Sequence, residues 1–106
     1  MEHEARVQDG IPVLQLTGRF DAFEVDPVKA WIDDTINAET PSAIIDLGGV
    51  TFIDSSALAA LVKGMKTCRE HGGELHLAAL DQAVRIIFEL TRLDKAFQIH
   101  ETLEDA

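Results

Sequence analysis

A mixed, mostly parallel α/β sheet of four to five strands, opened by an N-terminal hairpin and carrying helices in its crossovers, is the fold this sequence predicts. Three observations lead there. Short strand-like clusters alternate with stretches in which apolar residues recur every three or four positions. Gly and Pro stand at nearly every transition. Each helical stretch separates two strand-like ones, an order that right-handed crossovers convert into a parallel sheet.

The elements follow in chain order. Arg6-Val7-Gln8, the turn pair Asp9-Gly10 and Ile11-Pro12-Val13-Leu14-Gln15-Leu16 predict a hairpin, because Asp-Gly suits a two-residue turn. Thr17-Gly18 should end its second strand. Asp26-Pro27 then opens a helix, with Asp as N-cap and Pro at the first helical position, where a missing N–H costs nothing. Val28, Trp31, Ile32 and Ile36 form its apolar stripe, and Pro41 closes the connection. Ala43-Ile44-Ile45-Asp46-Leu47 is a short strand ended by Gly48-Gly49.

A second helix should run from about Asp54-Ser55 to His71. Leu58, Leu61, Val62, Met65 and Cys68 recur at helical steps there, and Gly72-Gly73 is a stop signal. Glu74 to Leu80 reads as the next strand, and Asp81 caps a third helix with Val84, Ile87, Phe88 and Thr91 in phase. Phe97-Gln98-Ile99 forms a last edge strand, and Thr102 to Ala106 a truncated helical turn. One domain over residues 1–106 accommodates all of these elements.

Composition narrows the function. The formal net charge is −10, with 19 acidic against 9 basic residues, which disfavours a phosphate backbone as partner; the charge favours solubility and suits a basic partner surface, with a solvated acidic surface the simpler reading of any one carboxylate. The longest apolar run, Ala57 to Val62, is far short of the ~20 residues that span a bilayer. The N-terminal Met1-Glu2-His3-Glu4-Ala5-Arg6 is polar, unlike a signal peptide. One cysteine permits no internal disulfide and fits a reducing compartment. A cytoplasmic domain with no nucleic acid and no membrane among its partners is the expectation.

In open sheets of this kind, functional groups gather where strands hand over to helices at their carboxyl ends. Two loops meet that condition, Gly18 to Asp26 and Gly48 to Ser56. The second carries Asp54-Ser55-Ser56, one carboxylate and two hydroxyls at a helix start. Free N–H groups and a partial positive charge there would stabilise a phosphate on serine. The competing reading is plain N-capping by Asp54, Ser55 or Ser56.

The surrounding motifs extend this reading. Ile44-Ile45-Asp46-Leu47 followed by Phe52-Ile53-Asp54-Ser55-Ser56-Ala57-Leu58 resembles the signature of STAS domains, the module of anti-sigma factor antagonists and of sulfate-transporter tails. Leu16-Thr17-Gly18-Arg19-Phe20-Asp21, Gly72-Gly73-Glu74-Leu75 and Val84 to Leu90 are similar to that family in kind and spacing. Ala57 and Arg92 stand where the family usually has Gly.

The resemblance implies an anti-sigma factor antagonist that is not an enzyme and needs no cofactor. Ser55 is then the phosphorylation site, Ser56 a structural neighbour, and Asp21 and Asp54 flank the switch loop. It also implies two partners: an anti-sigma factor with serine kinase activity, bound when Ser55 is unmodified and released when it is phosphorylated, and a phosphoserine phosphatase. The chain is expected to be a monomer or weak dimer.

The remaining candidates have simpler explanations. Asp21 also suits a solvated turn. Cys68 continues an apolar stripe and reads as a buried, inert thiol. His3, His71, His76 and His100 lack metal-ligand spacing, so no metal is expected. Trp31 is in phase with the core. Gly48-Gly49 lacks the Lys-Ser/Thr of a phosphate loop. A hydrolase with Ser55 as nucleophile would need an adjacent base, and neither loop contains a histidine. An accessory subunit of a transporter or signalling complex, without a phosphorylation switch, is the alternative.

Overall fold

The computed structural model describes residues 1–105. Five strands lie in the spatial order of the sequence: β1 (Glu2–Gln8), β2 (Ile11–Phe20), β3 (Ala43–Ile53), β4 (Leu75–Ala78) and β5 (Gln98–His100). β1 and β2 are antiparallel, and every later pairing is parallel. Asp9 and Gly10 make the hairpin turn at φ 52° and 82°, the left-handed pair that matches strand twist.

Helices α1 (Val25–Thr35), α2 (Ser55–Glu70) and α3 (Gln82–Leu90) fill the three parallel crossovers. Because successive right-handed crossovers advance in one direction, all three helices bury against one face of the sheet. Their Val28, Ile32, Leu58, Leu61, Val84 and Phe88 join Leu14, Leu16, Ile45, Leu47, Leu75 and Leu77 in a single core. The opposite face holds only a small cluster of Val13, Ile44 and Ala78, covered by Ile11 and Leu103. Gln8 pins that cover by donating its Nε2–H to the Leu103 carbonyl at 2.7 Å. Residue 106, where the expected last turn ended, lies outside the described residues.

β1 begins at Glu2 rather than Arg6 and β4 ends at Ala78 rather than Leu80, and two further differences from the sequence expectation shape the site. Asp26 is not the cap of α1. A 3₁₀ turn over Ala22–Glu24, capped by Asp21, starts the helical path earlier, and Asp26-Pro27 falls inside the first turn of α1. Pro27 is tolerated because the first N–H groups of a helix have no intrahelical partner.

The second difference is that neither Thr17-Gly18 nor Gly48-Gly49 ends a strand. Both lie at irregularities in the β2–β3 register, and both strands continue beyond them. A Cβ on Gly49 would sit 2.7 Å from Thr17 Oγ1 and 3.0 Å from the Leu16 carbonyl oxygen. The glycine is there for close strand approach. Arg92, where the family resemblance leads one to expect Gly, holds φ 62° after α3.

Cys68 is fully buried, and burial, with Glu74 adding to it, pushes its thiol up to about 11. The protonated thiol is inert, as its place in the stripe implied. No helix among the described residues is long and apolar enough to cross a membrane.

Sequence spacing did not bring His76 and His100 together, yet parallel β4 and β5 set their ring nitrogens 3.1 Å apart. Burial first, and the His100 imidazole second, lower the His76 pKa, while Glu74 opposes them. The folded state therefore takes up this proton at lower pH than the unfolded chain. Its stabilisation is complete above the ordinary histidine range and falls away as pH drops through it. Urea midpoints should decline between about pH 8 and about pH 5.5. His76→Gln should flatten that slope, and equal slopes for both proteins would refute the assignment.

Candidate functional site

The site grows from the extra length of β2 and β3. Because both strands run past their glycines, Phe20 pairs with Ile53, and the Asp54 N–H donates to the Phe20 carbonyl at 3.3 Å. The loops after the two strands thus end side by side, and Asp54 joins them. Its Oδ1 accepts the Ala57 N–H at 2.9 Å, which caps α2, and its Oδ2 accepts the Ala22 N–H at 3.0 Å, which holds the other loop. One carboxylate thereby satisfies a donor in each loop.

Ser55 and Ser56 are the first two residues of α2, and both are exposed. Since Asp54 is the cap, neither hydroxyl is needed for capping. The plain N-cap reading therefore belongs to Asp54 and leaves Ser55 free for chemistry. Asp54 takes the N–H of Ala57, so those of Ser55 and Ser56 remain for an incoming anion. Asp21 is brought to the same place but acts locally: its Oδ1 accepts the Phe23 N–H at 3.1 Å and caps the 3₁₀ turn.

Sequence reasoning missed several neighbours. Arg19 places its guanidinium carbon 4.0 Å from the Phe52 ring centre, with Nε 4.0 Å from Asp21 Oδ2. That contact needs the β2–β3 register, in which Arg19 faces Phe52. Phe23 is 93% exposed, between two residues whose backbones are hydrogen-bonded. An aromatic residue in a turn that should be polar was its signal. Asp46 is nearly fully buried on the helix-free face, where Oδ1 accepts the Gly48 N–H at 2.9 Å and Oδ2 lies 3.6 Å from Arg6. It holds the bulge in β3. The histidines of β4 and β5 lie toward the other end of β3, in register with Ile44 and Asp46 rather than with Ile53.

Asp54→Ala removes both bonds at once. It should cost about 2–5 kcal/mol, the sum of a lost N-cap and a lost hydrogen bond to a charged acceptor. Asp54→Ser keeps the cap but is too short to serve both loops, and should recover about half. Chemical denaturation checks this. Equal losses for Ser and Ala would remove the cap from the account.

Comparison with known proteins agrees with this fold. The family model described as STAS domain matches residues 2–106. The anti-sigma F factor antagonist of Paenibacillus polymyxa is 24% identical over 102 residues, covering 95% of this chain and 84% of the relative. The crystal structure of an anti-sigma factor antagonist from Mycobacterium paratuberculosis superimposes with TM-score 0.86 at 27% identity, over 98% of this chain and 88% of that one. The phosphorylated form of the Bacillus cell fate determinant SpoIIAA gives TM-score 0.76 at 20% identity, over 98% of this chain and 95% of that one.

Proposed function

We propose, from the premise that this chain belongs to the STAS domain family, that it is an anti-sigma factor antagonist switched by phosphorylation of Ser55. The observation that carries the proposal is the division of labour at the start of α2. Asp54 caps the helix and ties the two loops, so the adjacent exposed Ser55 can be modified without loss of a structural bond. The relatives named as antagonists, and a domain of this fold known in a phosphorylated form, support it.

In this reading the whole of residues 1–106 is one STAS domain acting in the cytoplasm as a binding protein, not an enzyme. Unmodified, it captures an anti-sigma factor that is also a serine kinase, and the sigma factor is freed. The kinase transfers the γ-phosphoryl group of ATP to Ser55 Oγ: the new P–O bond forms on the serine oxygen as the bond to the β-phosphate oxygen breaks, ADP leaves, and the serine proton passes to a base of the kinase. Phosphoserine, with a charge near −2, then sits inside a packed interface. A loss of about 3 kcal/mol there already weakens binding more than a hundredfold. A phosphoserine phosphatase resets the cycle.

Affinity purification of the chain from its source cells, with intact-mass measurement of the recovered domain, tests this. A kinase-type anti-sigma factor and a phosphate mass on a fraction of the domain are expected. A wild-type domain that never gains phosphate would overturn the switch.

One observation favours a second reading, an accessory subunit with no switch. Ile86 and Leu90 lie one turn apart on α3, 44% and 79% exposed, and an apolar stripe away from Ser55 suits a permanent contact.

A further inference from the structure

We propose that Phe23 is the aromatic anchor that docks this chain into an apolar pocket, rimmed by basic side chains, on the kinase-type anti-sigma factor that modifies Ser55. The inference rests on the function proposed above and adds the residue that holds the partner. Phe23 is the most exposed large apolar side chain among the described residues, at 93%. A freely moving phenyl ring would mean little, but this one stands on a fixed turn. Its own N–H is held by Asp21 Oδ1, the preceding Ala22 N–H by Asp54 Oδ2, and the following Glu24 N–H by the Asp21 carbonyl at 2.9 Å. A ring pre-set outward on an ordered backbone gives up little freedom on burial, which is what makes an anchor efficient.

Position selects the occupant. Asp54 bonds Ala22 on one side and directly precedes Ser55 on the other, so a protein that reaches the Ser55 hydroxyl also covers the turn bearing Phe23. Charge selects the rim. Asp21, Glu24 and Asp26 lie within three residues of Phe23; Arg19 and the Met1 ammonium offset the first two, so Asp26 and the chain's net charge of −10 are what call for cations around the socket. Val7 is also well exposed, at 69%, but sits on β1 opposite Pro12, at the other end of β2 from Phe20, so it serves as the comparison for nonspecific apolar loss.

The test titrates the purified anti-sigma factor, retrieved by the wild-type chain, with wild type, Phe23→Ala, Phe23→Leu, Val7→Ala and Ser55→Asp. Phe23→Ala should melt like wild type yet bind about thirtyfold or more weakly. Phe23→Leu should fall between, and Val7→Ala should match wild type. Raising salt from about 0.1 M to about 0.5 M should slow association, as a basic rim requires. Binding of Phe23→Ala within about twofold of wild type overturns the anchor, even where Ser55→Asp is released and the switch stands. Loss with Phe23→Ala but not with Ser55→Asp keeps the anchor and removes the switch. Association insensitive to salt overturns the basic rim. If the wild-type chain retrieves no kinase-type partner, anchor and switch both fall.

Discussion

Ser55→Asp is expected to fold as wild type does and to bind its anti-sigma factor more than a hundredfold more weakly. The two halves of that result have separate causes. Folding survives because the side chain is exposed at the first position of α2, where a negative charge meets the free N–H groups of Ser55 and Ser56 and the positive end of the helix. Binding should fail because a carboxylate at the same point puts an unpaired negative charge inside the proposed contact with the kinase. Ser55→Ala separates the causes further. It removes a hydroxyl that caps nothing, since Asp54 Oδ1 already holds the Ala57 N–H, so its cost should stay below ~1 kcal/mol. It should bind like wild type and take up no phosphate. Ser56→Ala should leave phosphate uptake largely intact. Calorimetric titration of each variant, with intact-mass reading of incorporation, measures all of this. If Ser56→Ala abolishes uptake and Ser55→Ala does not, the phosphoacceptor is Ser56. If neither matters and wild type stays unmodified, the accessory-subunit reading replaces the switch.

Leu61→Ala should lower stability by about 2–5 kcal/mol. Leu61 is completely buried at the centre of α2, in the core shared by the three helices and the inner face of the sheet. Around it α1 approaches α2 so closely that a Cβ on Gly64 would lie 2.6 Å from the Ile32 Cδ1. Helices so tightly apposed cannot collapse into the space left by a deleted isobutyl group, and the cavity term adds to the lost transfer energy. For a chain of this length each kcal/mol corresponds to roughly 4–8 °C in melting temperature, so the variant should melt at least about 8 °C lower. Ala59→Ser, on the exposed side of the same helix, is the comparison and should stay within about half a kcal/mol. A loss below that same value for Leu61→Ala would mean the core face of α2 is assigned wrongly.

Much of this molecule follows from local rules that need no partner in space. Asp9-Gly10 makes the hairpin by backbone preference alone. Asp54 and Asp81 cap α2 and α3 through bonds spanning three residues. The stripe of Leu58, Leu61, Met65 and Cys68 has the helical period, and strand–helix alternation implies the parallel order. The helix start at Asp54-Ser55-Ser56 was legible for the same reason, while the choice of Ser55 as the proposed phosphoacceptor came from the resemblance of that stretch to the STAS signature.

Long-range contacts decided the rest. Gly18 and Gly48-Gly49 read locally as strand ends, yet β2 and β3 run on through them, and at Gly49 the steric demand comes from the neighbouring strand. That added length lifts Asp54 beside Ala22, so that a cap also becomes a tie between loops. The 3₁₀ turn before α1, the Arg19–Phe52 contact and the His76–His100 pair likewise depend on which strands become neighbours. Periodicity and capping are set by residues within one turn of each other. Register, bulges and the meeting of two loops are set by residues that the chain separates and only the sheet brings together, as with the 32 positions between Ala22 and Asp54.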